Sequence, residues 1–176
     1  MNSFALGLEA IVRQTGRIAR WLALAMVLLQ LGVVLARYLF GISYIFLNEG
    51  VLYMHAALFM LGAGYTLLVD EHVRVDIFYA NLSARGKAAI NLFGSVVFLL
   101  PSTLVLLWVT WPFVRNSWAV MEGPISVGGI PASFLLKSLI PAFCILLILQ
   151  GAAGAMRDLT RLVGGEKMPR RRWKRR

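Results

Sequence analysis

Four long apolar runs set the terms for this chain. They extend from Trp21 to Phe40, Phe46 to Val69, Ala88 to Trp111 and Pro131 to Met156. A helix needs roughly 20 apolar residues to cross the hydrocarbon of a bilayer. Lipid offers no hydrogen-bond partner, so each run must satisfy its backbone within itself, as a helix does. The expected fold is therefore an all-α integral membrane protein with four transmembrane helices. Residues 1–166 form one membrane domain, and 167–176 form a basic tail. Arg13, Arg17 and Arg20 precede the first run, which is longer than a signal-peptide core, so it is expected to remain in the mature protein.

Charge sets the direction of the spans. Nine of the 18 Lys and Arg residues follow Met156. Arg13, Arg17 and Arg20 stand before span one, and Arg74, Arg85 and Lys87 lie between spans two and three. Only Arg37 and Arg115 fall in the other loops or beside them, with Lys137 inside span four. By the positive-inside rule, both termini and the middle connection are cytoplasmic, and the membrane is a bacterial inner membrane. The arm before span one (Phe4, Leu8, Ile11, Val12, Ile18) and the middle segment from Asp70 to Lys87 carry apolar residues among their charges. Both read as interfacial amphipathic helices. The basic tail reads as an anchor for anionic headgroups. It offers no folded surface for nucleic acid.

Four ionisable side chains fall within the spans: Arg37, Glu49, His55 and Lys137. Such residues are costly in a bilayer and each needs a reason. All four lie towards the outer half. Arg37 and Glu49 face each other across a short turn, which allows an ion pair. Lys137 is within reach of Glu49, His55 or a backbone carbonyl. The alternative is that both cations snorkel to the outer headgroups. Pro101 and Pro141 are expected to kink spans three and four. Gly32 with Ala36, Gly62 with Thr66, and Gly151 with Ala155 have the spacing of close helix contacts.

Catalytic equipment is missing from the sequence. Its two histidines, His55 and His72, are too close along one helix to clamp a haem between helices. The single Cys144 excludes cysteine-based metal clusters and an internal disulfide framework. There is no phosphate-binding glycine loop with its lysine. Asp70, Glu71, His72 and Asp76 form a polar cluster at the end of span two, read as a helix exit and not as a metal site. No cofactor or metal is expected. A small membrane enzyme or electron-transfer subunit, or an unrelated membrane adaptor, remains the alternative reading from the residues.

Several segments resemble the small membrane subunit of TRAP (tripartite ATP-independent periplasmic) transporters, the DctQ type. They are Arg37-Tyr38-Leu39-Phe40-Gly41 followed by Glu49, and the stretch Gly62 to Tyr79 containing His72-Val73-Arg74-Val75-Asp76. Further on come Ser117-Trp118, Glu122, Gly128-Gly129-Ile130-Pro131, Lys137 and Gln150-Gly151. The pattern is similar to the mannitol, chloroaromatic and 2-oxoacid branch, and covers roughly Gly16 to Leu162. Many relatives carry Trp just before the acidic residue of helix two, where this chain has Leu47-Asn48. The resemblance implies a non-catalytic small permease subunit. Its partners would be a large elevator-type membrane subunit, which holds the sodium and organic-acid sites, and a periplasmic binding protein. It also implies structural or interface roles for Arg37, Glu49, His72, Asp76, Glu122, Gly128, Gly129, Pro131 and Lys137. The two glycines permit tight backbone angles, and Pro131 suits a first helical turn.

Overall fold

The structure is a computed structural model that describes residues 3–69 and 82–164. Helix α1 runs from Ser3 to Phe40 and α2 from Ile45 to Leu68. Helix α3 (Ala84–Phe93), a π-helical turn (Gly94–Leu99) and α4 (Leu100–Ala119) follow one another without a break and make the third span. Helix α5 covers Ser133–Gly164. Among the described residues there is no strand. All four rods are long and apolar enough to cross a membrane. The expected polar cluster with His72 and Asp76, most of the middle amphipathic segment and the basic tail lie outside the described residues.

The rods alternate in direction. The turn between α1 and α2 and the connection from α4 to α5 therefore share one end, here the hairpin end. The other, the terminus end, holds the start of α1 and the end of α5. Helices α1 and α2 pack on each other and both touch α5, while the third span packs on α5. Helix α5 is thus the axis of the bundle. A third of its most apolar stretch is buried, against 6–11% in the other spans. Those other spans consequently present broad apolar surfaces outward, including Leu28, Leu31, Phe59, Phe98 and Trp108.

Local chemistry explains the helix boundaries. Gly41, with φ of 67°, closes α1. Its N–H donates to the Arg37 carbonyl, and the Ile42 N–H donates to the Ala36 carbonyl. This paired return of bonds needs a left-handed residue, which glycine supplies without a Cβ clash. Ser83 caps α3 by accepting the Gly86 N–H at 3.2 Å. The expected disturbance at Pro101 takes the form of the π turn just before it, where the Leu100 N–H reaches five residues back to the Ser95 carbonyl. A proline lacks an N–H and its ring crowds the carbonyl four residues earlier, so the preceding turn widens.

Besides the end of α5, which runs to Gly164 and not Met156, two boundaries differ from the sequence expectation. The first is α1, which begins at Ser3 and runs unbroken through the arm and the first span. At 1.5 Å per residue its 38 residues make a rod of about 57 Å, well beyond the hydrocarbon thickness. The arm packs inward: Val12 is fully buried and Glu9 pairs with Arg157 of α5 at 2.6 Å. The second is the third span, which continues through Pro112 to Ala119 although its apolar run weakens after Trp111.

Of the three small-residue pairs, only Gly151 lies at a close contact. A Cβ there would come within 2.8 Å of Leu99 Cδ2, while Gly32 and Gly62 have open space. The close approaches are instead Gly16 under the Tyr65 ring and Gly64 against Leu146 and Val12.

Candidate functional site

The polar residues of the hairpin end converge on the connection between α4 and α5. This segment, 120–132, is not regular helix and has to return the chain from the third span to the fourth. Its backbone carries N–H groups with no ladder to join, and burial makes an unpaired N–H expensive. Glu49, on the second turn of α2, supplies the acceptors. One carboxylate oxygen accepts the Ser126 N–H at 2.9 Å and the other accepts the Ile130 N–H at 2.7 Å. Glu49 is 6% exposed. Its charge is thus spent on backbone donors, the charge-assisted class of hydrogen bond, and not on Arg37.

The Gly128-Gly129-Ile130-Pro131 sequence follows from that bond. Gly128 takes a φ of 82°, a left-handed conformation that suits glycine. Gly129 lies so close to the carboxylate that a Cβ would overlap Glu49. Its own N–H donates to the Ser126 carbonyl at 2.9 Å, closing the turn. Ile130 offers its N–H to Glu49 and lays its side chain near Gly50. Pro131 stands two residues before α5, not in its first turn, and Ala132 accepts the first helical bonds from Leu135 and Leu136.

A second set of bonds ties the start of the connection to α5. Glu122 accepts from both the Lys137 ammonium and the Ser117 hydroxyl. These two donors, Lys137 first, hold its carboxyl below the ordinary carboxylate range. The Lys137 ammonium also stands 4.0 Å from the centre of the Phe113 ring. Ser133 donates to the Gly123 carbonyl. Trp118 donates from its indole N–H to Ser138 at 2.7 Å and meets Phe134 edge-on. Met121, with φ of 45°, is the one non-glycine left-handed residue among those described.

Of the residues singled out from sequence, the structure therefore gathers Glu49, Glu122, Gly128, Gly129, Pro131 and Lys137 around one connection. Arg37 is exposed on α1 and has no carboxylate partner among the described residues; the possible Arg37–Glu49 pair does not form. Lys137 meets Glu122 and not His55 or Glu49. His55 stacks obliquely on Phe59 and is exposed. Among the described residues no three His, Cys, Asp or Glu side chains come together as a metal-holding group.

Sequence reasoning missed Ser126, Ser133 and Ser138. The Ser126 N–H and the Gly123 carbonyl are backbone groups and leave no trace in residue identity. The glycine pair was the visible signal, because a glycine beside a buried carboxylate marks a close approach.

The family model for tripartite ATP-independent periplasmic transporters, DctQ component, matches residues 24–161. The chain belongs to this family. The match begins inside α1 and ends inside α5, so it takes in all four spans and the clasped connection. No curated protein and no solved structure matches the chain. A DctQ subunit is a transporter component, the small membrane partner of a large membrane subunit and a periplasmic binding protein in a tripartite system. As a DctQ subunit with four spans, this chain is a multi-pass inner-membrane protein.

Proposed function

We propose that this DctQ subunit is a non-catalytic companion that steadies the large membrane subunit during sodium-coupled import of an organic acid. In this reading sodium and substrate are held by the large subunit and the chain carries no cofactor. Both termini are cytoplasmic and the hairpin end faces the periplasm. There the clasped connection presents a fixed surface to the arriving binding protein. A 2-oxoacid is the substrate class that the sequence resemblance favours.

The observation that carries the reading is the clasp itself. A connection of 13 residues, 120–132, is bound at both ends to different helices, through Glu49 on α2 and Lys137 on α5. A rigid loop at the end of a bundle suits docking, because ordering costs are already met before the partner arrives. Helix α5, buried as the axis, suits a body that keeps its shape while a neighbour moves.

Purification of the tagged chain in mild detergent tests the assembly. Recovery of a large multi-span permease in near-equal amount is the expected result. Reconstitution of the complex with the binding protein tests the rest. Uptake of a 2-oxoacid should require an inward sodium gradient, and should fail when this chain is omitted. A chain recovered alone, or uptake indifferent to its omission, would overturn the proposal.

A further inference from the structure

Helices α1 and α2 enclose an open groove of about 480 Å³ on the outward surface, lined by Met26, Val27, Gln30, Asn48, Leu52 and His55 among others. Most of the lining is apolar, as lipid requires. Gln30, Asn48 and His55 are the exceptions, and Asn48 returns its amide to the Tyr44 carbonyl at 2.9 Å. Gln30 lies ten residues from the hairpin end of α1, and His55 lies ten residues from the same end of α2. Ten residues rise about 15 Å, which is half the hydrocarbon thickness. Both side chains therefore stand near the bilayer midplane, at one level, and both are exposed on the bundle.

The third span shows how this protein treats polar groups that face lipid. Ser102 and Thr110 each return their hydroxyl to a carbonyl of their own helix, Leu99 at 3.1 Å and Leu106 at 2.7 Å. The Gln30 carboxamide and the His55 imidazole show no such return. The Gln30 carboxamide makes no side-chain hydrogen bond among the described residues, and the His55 ring meets the Phe59 ring. A polar group left bare in hydrocarbon costs several kcal/mol by general measure. Two at the same depth, opening on one groove, call for a partner other than lipid and other than the described residues of this chain.

The row extends along both helices. Arg37 is seven residues from Gln30, and Asn48 seven from His55, so each falls on the same helix face as its neighbour. Arg37 and Asn48 also share a level, close to the hairpin end. A seven-residue repeat on two antiparallel helices makes a continuous seam for a third helix packed at a shallow angle.

We infer that the α1–α2 groove seats a transmembrane helix of the large membrane subunit, which offers hydrogen-bonding groups to Gln30 and His55 at the bilayer midplane. The inference rests on the proposed assembly and adds the face by which the two subunits meet. The third span then turns its apolar surface, with Val105 and Trp108, to lipid.

Site-directed photocrosslinking in the native membrane tests it. A benzophenone side chain at Val27 or Leu52, in the groove, should capture the large subunit. The same group at Val105 or Trp108 should not. In parallel, the double substitution Gln30→Leu, His55→Leu should lower recovery of the large subunit about 3- to 10-fold in mild detergent, the usual scale for interhelical hydrogen bonds in membranes. Both residues are exposed, so the bundle should keep its own thermal midpoint. The inference is overturned if the large subunit copurifies while groove positions capture only lipid or a second copy of this chain, or if the leucine pair leaves recovery unchanged. If no large subunit copurifies with the unaltered chain, the proposed assembly itself fails, which is a separate outcome.

Discussion

The two ends of this bundle are held by different physics. At the hairpin end, directional bonds do the holding: Glu49 to two backbone N–H groups, and Glu122 to Lys137 and Ser117. At the terminus end, closeness does. Gly16 lies under Tyr65, Gly64 meets Leu146, and one ion pair between Glu9 and Arg157 joins the first helix to the last. The difference follows from what each end must fix. An irregular connection has backbone donors that need partners and little apolar mass to bury. Helices already side by side need only surfaces that let them approach. A membrane bundle thus uses polar chemistry where the backbone leaves its helical ladder and small residues where it does not.

The comparison breaks most readily at the terminus end. Gly64→Leu should be strongly damaging, because even a Cβ would sit 3.1 Å from Leu146 Cβ. Overpacking of this kind costs about 1–3 kcal/mol. The check is a lowered thermal midpoint in detergent, with a smaller drop for Gly64→Ala. A full-size loss is expected with the hairpin-end connection still protected from protease until the whole bundle melts.

The converse change acts at the hairpin end. Glu49→Ala removes both acceptors, and Gly129→Ala pushes the carboxylate aside. Each should raise backbone hydrogen exchange at Ser126 and Ile130 by about tenfold or more, the scale of a lost charge-assisted bond. Thermal midpoint should move less than for Gly64→Leu. If exchange at these amides stayed unchanged in both variants, Glu49 would not be the clasp.

Acid sharpens the contrast. The Glu122 carboxyl is held below its ordinary value, chiefly by Lys137 and then by Ser117. A depressed value in the folded state means the pair's contribution is complete above the ordinary value of 4.5 and fades as pH falls through the depressed one. Exchange in the connection, corrected for its intrinsic pH dependence, should therefore hold steady from pH 7 to 5 and rise below about 4. The contact of Gly64 with Leu146 contains no ionisable group and should not follow it. In Glu122→Gln the acid-dependent rise should shrink to the part carried by Glu49 at the Ser126 and Ile130 amides.

The smallest effect should come from the double change Glu9→Gln, Arg157→Gln, which removes the ion pair without leaving the buried Glu9 as an unpaired carboxylate. Arg157 is 30% exposed, so a loss of about 1 kcal/mol or less is expected. A larger loss would show that the terminus end also depends on charge.

The family match and the four spans agree with what the apolar runs and motifs implied, because length and hydropathy alone decide whether a segment can cross lipid. Gly128 and Gly129 were also legible, since few residues other than glycine tolerate a left-handed turn or a carboxylate at Cβ distance. Pro101 announced a disturbance but not its π-helical form.

Partners were not legible. From the sequence, Arg37 and Lys137 were equivalent cations near one surface, and Glu49 was open to either. Only the tertiary structure places Lys137 over Phe113 beside Glu122, leaves Arg37 exposed and turns Glu49 to the amides of Ser126 and Ile130. Those amides belong to the backbone, which is the same in every residue but proline, so no pattern of side chains could have named them. The sequence by itself determined which segments enter the membrane, because that depends on composition summed along one helix. Which faces meet, which polar groups find partners and which groove stays open depend on how separate helices are placed in space, and only the tertiary structure decides that.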